Sequence, residues 1–154
     1  MAQWAVERPD LDVSPQALIG RLHRIGDALH AELRPIFAAA GLSDGDFDVL
    51  AALRRAGAPY ELTPGAIGET TMVTSGAVSK RLDRLEAAGL VVRRVGDADA
   101  RSRVVGLTER GLAVVDELFT AHIANEHRLV AGFSDLERSR LAHLLELWAR
   151  ELGC

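Results

Sequence analysis

Thr74, Ser75, Gly76, Ser79 and Lys80 gather small polar and basic side chains into one short stretch, and Arg101 and Arg103 follow further along the chain. Side chains of these types at the start of a helix are short enough to approach base edges, and a lysine there meets phosphate oxygens. The unpaired backbone amides of a helix start add donors for an anion. Gly76 costs such a helix roughly 1 kcal/mol against alanine, and close approach to a nucleic-acid backbone accounts for its presence. The two arginines suit a narrow groove of negative potential. Asp99, two residues before Arg101, is placed to hold that guanidinium. The plainer alternative is a surface helix and loop with ordinary polar faces.

These residues need three elements to present them. Thr63-Pro64 starts a short helix reaching about Thr70, and Thr71-Met72-Val73 leaves room only for a turn. Thr74 or Ser75 caps the next helix, which runs to Ala88 and buries Val78, Leu82 and Leu85. Leu90-Val91-Val92 reads as a strand, Gly96 to Ala100 as a long polar tip, and Arg103 to Leu107 as the returning strand. Helix, turn, helix and hairpin make a winged helix-turn-helix.

Helices flank this unit on both sides. Ser14-Pro15 reads as an N-cap and first helical position, followed by an apolar stripe of Leu18, Leu22, Ile25, Leu29, Leu33 and Ile36, with a kink or break expected at Pro35. Ser43 to Asp46 has capping-box spacing, and Phe47, Leu50 and Leu53 follow on one face. Thr108 starts a long helix reaching about Ala131, and Ser134 to Glu137 caps a last helix running to Leu152. The fold class expected is mainly α with a small β-wing. A single domain is expected, with an N-terminal extension and dimerisation helix over 1–40, the winged unit over 43–108 and C-terminal dimerisation helices over 109–152. The terminal helices carry more large apolar residues than a helix lying on a small winged unit can bury, which points to a homodimer and hence two DNA half-sites.

Charge and composition agree. Between Val73 and Val105 there are seven basic and four acidic residues, whereas the rest of the 154-residue chain has eleven basic and eighteen acidic. A basic segment on an acidic body is a usual layout for a compact DNA-binding module. No apolar run is long enough to span a membrane, and the N-terminus lacks a signal-peptide core. The single cysteine, Cys154, permits no disulfide within the chain; together these indicate a cytoplasmic protein. There is no Walker loop, nucleophile elbow or dinucleotide fingerprint, so no enzyme activity and no cofactor are expected. Lys80 directly follows Ser79, so their side chains diverge on a helix and make no Ser-Lys pair.

The stretch LTPGAIGETTMVTSGAVSKRLDRLEAAGLVVRRVGDADARSRVVGLTERG resembles the DNA-binding core of the MarR family of transcriptional regulators. Its SGAVSKRLDRLE helix, GLV-x-R strand, D-x-R wing and LT-x-x-G start are specific in combination, and the flanking helices match in order. The resemblance implies a homodimer built from the first and last helices, a pseudo-palindromic operator in double-stranded DNA and, often, release by a small anionic or aromatic ligand. A finer resemblance is to the branch that responds to urate. It implies a ligand set of Trp4 in the N-terminal extension, Asp48 in the DFDVL helix, Arg81 in the SKRLDRLE helix and Arg93 after the GLVVR strand. A planar purine anion would then stack on Trp4 and bond to Arg93, while disturbing a link between Asp48 and Arg81. Phenolic or carboxylate ligands, or no physiological ligand, remain open, as does a winged-helix dimer serving only as a protein-interaction module.

Other groupings carry less. His122 and Glu126 stand one helical turn apart, but no cysteine or second histidine completes a metal site. Asp44, Asp46 and Asp48 have calcium-loop spacing without its glycine or closing glutamate, and read better as acids at a helix N-terminus. A thiol peroxide sensor is not expected of a terminal cysteine.

Overall fold

The computed structural model describes residues 2–71, 75–96 and 99–153; the side chains of residues 2, 5, 75, 96 and 99–102 are outside that description. Thr74, Arg101 as a side chain, Ser75 as a side chain and Cys154 therefore lie outside the described residues.

The chain opens with a short helix α1 (Ala2–Glu7), then α2 (Ser14–Ala39), α3 (Asp44–Arg55), β1 (Glu61–Leu62), α4 (Pro64–Thr71), α5 (Ser75–Ala87), β2 (Val91–Gly96), β3 (Asp99–Leu107), α6 (Glu109–Leu129) and α7 (Asp135–Leu152). The mainly helical class with a small β-wing is as expected. Three local expectations need correction. Pro35 sits inside α2 without ending it; Leu33, Ile36 and Phe37 beside it pack on the core and hold the helix through the missing hydrogen bond. Ser14 is the first helical residue rather than the cap, and Asp12 instead accepts from its backbone N–H and its hydroxyl. The wing strands run to Gly96 and from Asp99, so cross-strand pairing reaches further into the polar tip than its composition suggests.

Both expected capping boxes at Ser43 and Ser134 form. In each, the serine side chain accepts from the third helical N–H while an acid returns to the serine N–H, satisfying two otherwise unpaired donors.

The sheet is antiparallel in the order β1-β3-β2, with Arg93 opposite Val105 and Glu61 opposite Gly106. Strand β1 was not expected from so short a segment; it is fixed by pairing with β3 and by the Arg94–Glu61 ion pair that crosses Gly106. One core joins all the inner elements: Phe37 of α2, Phe47, Leu50 and Leu53 of α3, Ile67 of α4, Val78, Leu82 and Leu85 of α5, Val105 of β3 and Val115 of α6. Each large side chain withdrawn there contributes about 1.5–3 kcal/mol. Gly111 lets α6 settle directly on the backbone just before β2: a Cβ at this position would lie 1.9 Å from the Leu90 carbonyl oxygen.

The terminal helices differ. Leu18, Ile25 and Leu29 of α2 and Leu141, Leu144 and Leu147 of α7 are exposed, and α7 has no buried residue.

Candidate nucleic-acid interface

Helix α5 is amphipathic. Val78, Leu82 and Leu85 are almost wholly buried, which turns Gly76, Ser79 and Lys80 outward, all three exposed. A Cβ on Gly76 would meet nothing within 4 Å among the described residues. Arg103 on β3 is also exposed. The residues expected to read and position DNA thus lie on α5 and the wing, as far as the described residues include them.

Three arginines fasten α5 to its surroundings. Arg84 donates from Nη2 to Oδ1 of Asp46 at 2.7 Å. Asp46 is 5% exposed, and its other oxygen accepts from the backbone N–H and the hydroxyl of Ser43. Burial pulls the Asp46 pKa up, but the hydrogen bonds from Ser43 and Arg84 outweigh it and hold the carboxyl below its ordinary range.

Arg81 lays its guanidinium on the backbone of α3: an added Cβ at Gly45 would fall 2.3 Å from Arg81 Cζ. Its Nη1 is buried and has no hydrogen-bond partner among the described residues. Arg81 acts on Asp48 through charge alone, since no hydrogen bond or ion pair joins the two. The Asp48 carboxyl is shifted up, first by desolvation, with Arg81, Arg55 and His122 opposing the shift and Asp44 adding to it. The expected link between Asp48 and Arg81 is therefore electrostatic rather than a direct contact.

Arg93 reaches from β2 to the same helix. It donates from Nη1 to Glu86 Oε2 at 2.8 Å and from Nη2 to Asp83 Oδ1 at 2.7 Å. A third, longer bond runs from Nη2 to the Ser79 carbonyl, and the Arg93 backbone N–H donates to Glu86 Oε1. Its pKa is raised by the hydrogen bond to Asp83 first, against a desolvation that lowers it.

Of the four residues implied as a ligand set, the structure brings Asp48 and Arg81 within electrostatic reach. Arg93 is engaged with α5. Trp4 is half exposed on α1 and makes no side-chain hydrogen bond or ring contact among the described residues.

A partly open cavity of about 620 Å³ lies between α3, α4 and α6, and Asp48 forms part of its wall. Phe47, Ala51 and Phe119 supply apolar surface, and Arg55 and His122 supply polar edges. Arg54 at the rim is already paired with Asp116, at 2.7 Å. Sequence reading passed over Arg55 and weighed His122 only as a metal ligand beside Glu126. The available signal was aromatic, since the His122 ring lies tilted against Phe37, Phe47 and Phe119, and Phe47 was already placed on the apolar face of its helix. His122 Nε2 also lies 3.2 Å from Glu126, which makes that pair a within-helix contact.

Two helices joined by a short connection, the second with an open polar face, and a hairpin packed beside it define a winged helix-turn-helix DNA-binding protein. Comparison with known proteins narrows this. Residues 40–102 match the family model described as "MarR family". The chain is 40% identical over 143 residues to the HTH-type transcriptional regulator PecS of Dickeya dadantii, covering 93% of this chain and 86% of that protein. Among solved structures it is similar to AbsC of Streptomyces coelicolor, a MarR family transcriptional regulator, with a TM-score of 0.83, 22% identity and coverage of 93% and 97% of the two chains. It is similar also to BpsR of Bordetella bronchiseptica, whose DNA binding is regulated by 6-hydroxynicotinic acid, with a TM-score of 0.72, 26% identity and coverage of 86% and 98%. The chain belongs to the MarR family: it is a DNA-binding transcriptional regulator and not an enzyme.

Proposed function

We propose that the protein is a homodimeric repressor that binds a pseudo-palindromic operator and is released by a small planar aromatic anion. The open face of α5, with Lys80 outward and Val78, Leu82 and Leu85 buried behind it, carries the DNA-reading part. Thr74, Ser75, Gly76, Ser79 and Lys80 enter the major groove, and Arg101 and Arg103 approach the backbone or minor groove from the wing. Dimerisation is supported by the exposed apolar faces of α2 and α7, which a second copy would cover.

For the effector, a urate-like purine held by Trp4, Asp48, Arg81 and Arg93 is one reading. It is supported by the charge coupling of Asp48 to Arg81, because Arg81 belongs to α5 and a ligand that alters this coupling alters the DNA-reading helix. A hydroxylated aromatic carboxylate is the second reading. The aromatic surface of the α3–α4–α6 cavity, with Arg55 at its edge, favours it, as does the regulation of BpsR by 6-hydroxynicotinic acid.

Fluorescence-polarisation binding to the DNA upstream of the protein's own gene, at fixed salt, tests both parts. Salt-dependent, sequence-selective binding is expected. Release by urate, with quenching of Trp4 in a Trp148→Phe background, supports the purine; release by 6-hydroxynicotinate alone supports the carboxylate. Binding no tighter to this or any selected sequence than to random DNA overturns the repressor.

A further inference from the structure

Arg93 ties the wing to α5 through several hydrogen bonds, and its three acceptors share a pattern. Ser79, Asp83 and Glu86 stand at i, i+4 and i+7 on α5, which places them on one face of the helix over two turns. One guanidinium on β2 bridges that whole face. Arg93 itself is anchored by its backbone, because its N–H donates to Glu86 and its strand position opposite Val105 is fixed by the sheet.

A single exposed ion pair contributes little, but a forked arginine in a network restrains geometry more than it adds energy. Turning α5 about its axis, or tilting its start away from the wing, breaks the Asp83 and Ser79 bonds first. The same turn moves Lys80, the residue after Ser79, off its line of approach to DNA.

We infer that Arg93 is a positioning residue for operator recognition: through Asp83, Glu86 and the Ser79 carbonyl it sets the rotation of α5 relative to the wing. This rests on α5 being the operator-reading helix, as proposed above. It goes beyond the ligand role, since it gives Arg93 a task in the absence of any effector.

The test turns on a sign. Asp83 is an exposed acid on a helix that faces a polyanion. By charge alone, Asp83→Asn tightens binding to every DNA. If Asp83 serves to hold Arg93, the same change weakens operator binding while leaving random-sequence binding equal or tighter. We expect Asp83→Asn and Arg93→Met each to lower operator affinity by about 5–20-fold, with the double variant no worse than Arg93→Met alone, as coupled neighbours behave. Thermal unfolding within a few degrees of the parent separates this from loss of fold. Glu86→Gln, a milder change to the same network, serves should Arg93→Met fold poorly, and is expected to act in the same direction with a smaller effect.

Tighter operator binding by Asp83→Asn overturns the inference. So does an equal loss of operator and random-sequence affinity in Arg93→Met with the salt slope reduced by about one, since that marks a direct phosphate contact. Lys80→Ala run in parallel separates the two levels: if it leaves operator affinity unchanged, the reading of α5 fails and this inference with it. If Lys80→Ala weakens binding and the Asp83 and Arg93 variants do not, only the positioning role fails.

Discussion

Asp46 divides its carboxylate between two helices, one oxygen capping the start of α3 through Ser43 and the other accepting from Arg84 on α5 at 2.7 Å. Asp46→Asn keeps most of the shape and removes the charge. A loss of about 1–2 kcal/mol is expected, reduced from the usual charged hydrogen-bond value because Arg84 is more than half exposed. Urea unfolding reads it. The pH dependence has a definite sign. The folded pKa of Asp46 lies below its unfolded value, so its contribution is present above the ordinary carboxylate range and is lost as pH falls through the folded pKa. The variant should be the less acid-sensitive of the two proteins.

Asp48 has the opposite sign. Desolvation raises its folded pKa, so ionised Asp48 opposes folding at neutral pH and the penalty is relieved on acidification. Asp48→Asn should leave neutral-pH stability unchanged or slightly increased, by less than about 0.5 kcal/mol for so accessible a group. If Asp48 belongs to the effector site, the same variant blunts ligand release while operator affinity is retained. A marked fall in its melting temperature would contradict the first expectation, and unaltered ligand release the second.

Lys80→Ala should weaken binding to all DNA sequences alike and lower the salt slope by about one, as expected for a single lost phosphate contact. Arg103→Ala should do the same from the wing. Titrations at several salt concentrations against operator and random DNA give both numbers. A sequence-selective loss for Lys80→Ala would show base reading instead.

Leu144→Glu on α7 and Ile25→Glu on α2 place a charge on faces that are exposed in the single chain. Were those faces solvent-facing in the working protein, neither change would matter. If they pair with a second copy, each variant shifts sedimentation toward monomer and costs operator affinity well over 10-fold, because half-site pairing is lost.

Gly111→Ala drives a methyl into the Leu90 carbonyl, a backbone atom with no rotamer to yield. A cost of about 1–3 kcal/mol or more is expected, as for overpacked sites, and thermal unfolding measures it. Gly45→Ala also meets an obstacle, but the flexible Arg81 side chain can move, so the effect should fall on Arg81's neighbourhood rather than on stability.

The sequence made the helices legible because their signals are local. Ser43 and Asp46, or Ser134 and Glu137, are three residues apart and meet in one turn. Val78, Leu82 and Leu85 repeat at helical spacing and are buried as that spacing implies. Pro35 misled, since an interior proline is a local break signal and the packing of Leu33, Ile36 and Phe37 on the core that overrides it is a tertiary effect. The site was less legible for the same reason. Arg93 stands seven residues from Glu86 along the chain, yet its partner is decided by how β2 packs beside α5. The spacing of Ser79, Asp83 and Glu86 was readable as one face; what faced it was not. Arg55 and His122 share a cavity wall only because α3 and α6 converge, a relationship between segments far apart in sequence.

The contact at Gly111 also has a mechanical meaning. Where two elements meet through long side chains, one can shift while rotamers absorb the movement. Here α6 rests on the carbonyl of Leu90, the residue before β2, with Thr108 donating from its hydroxyl to the Gly89 carbonyl just alongside. The joint leaves no side chain to give way, so it couples α6 to the root of the wing more as a welded lever than as a hinge.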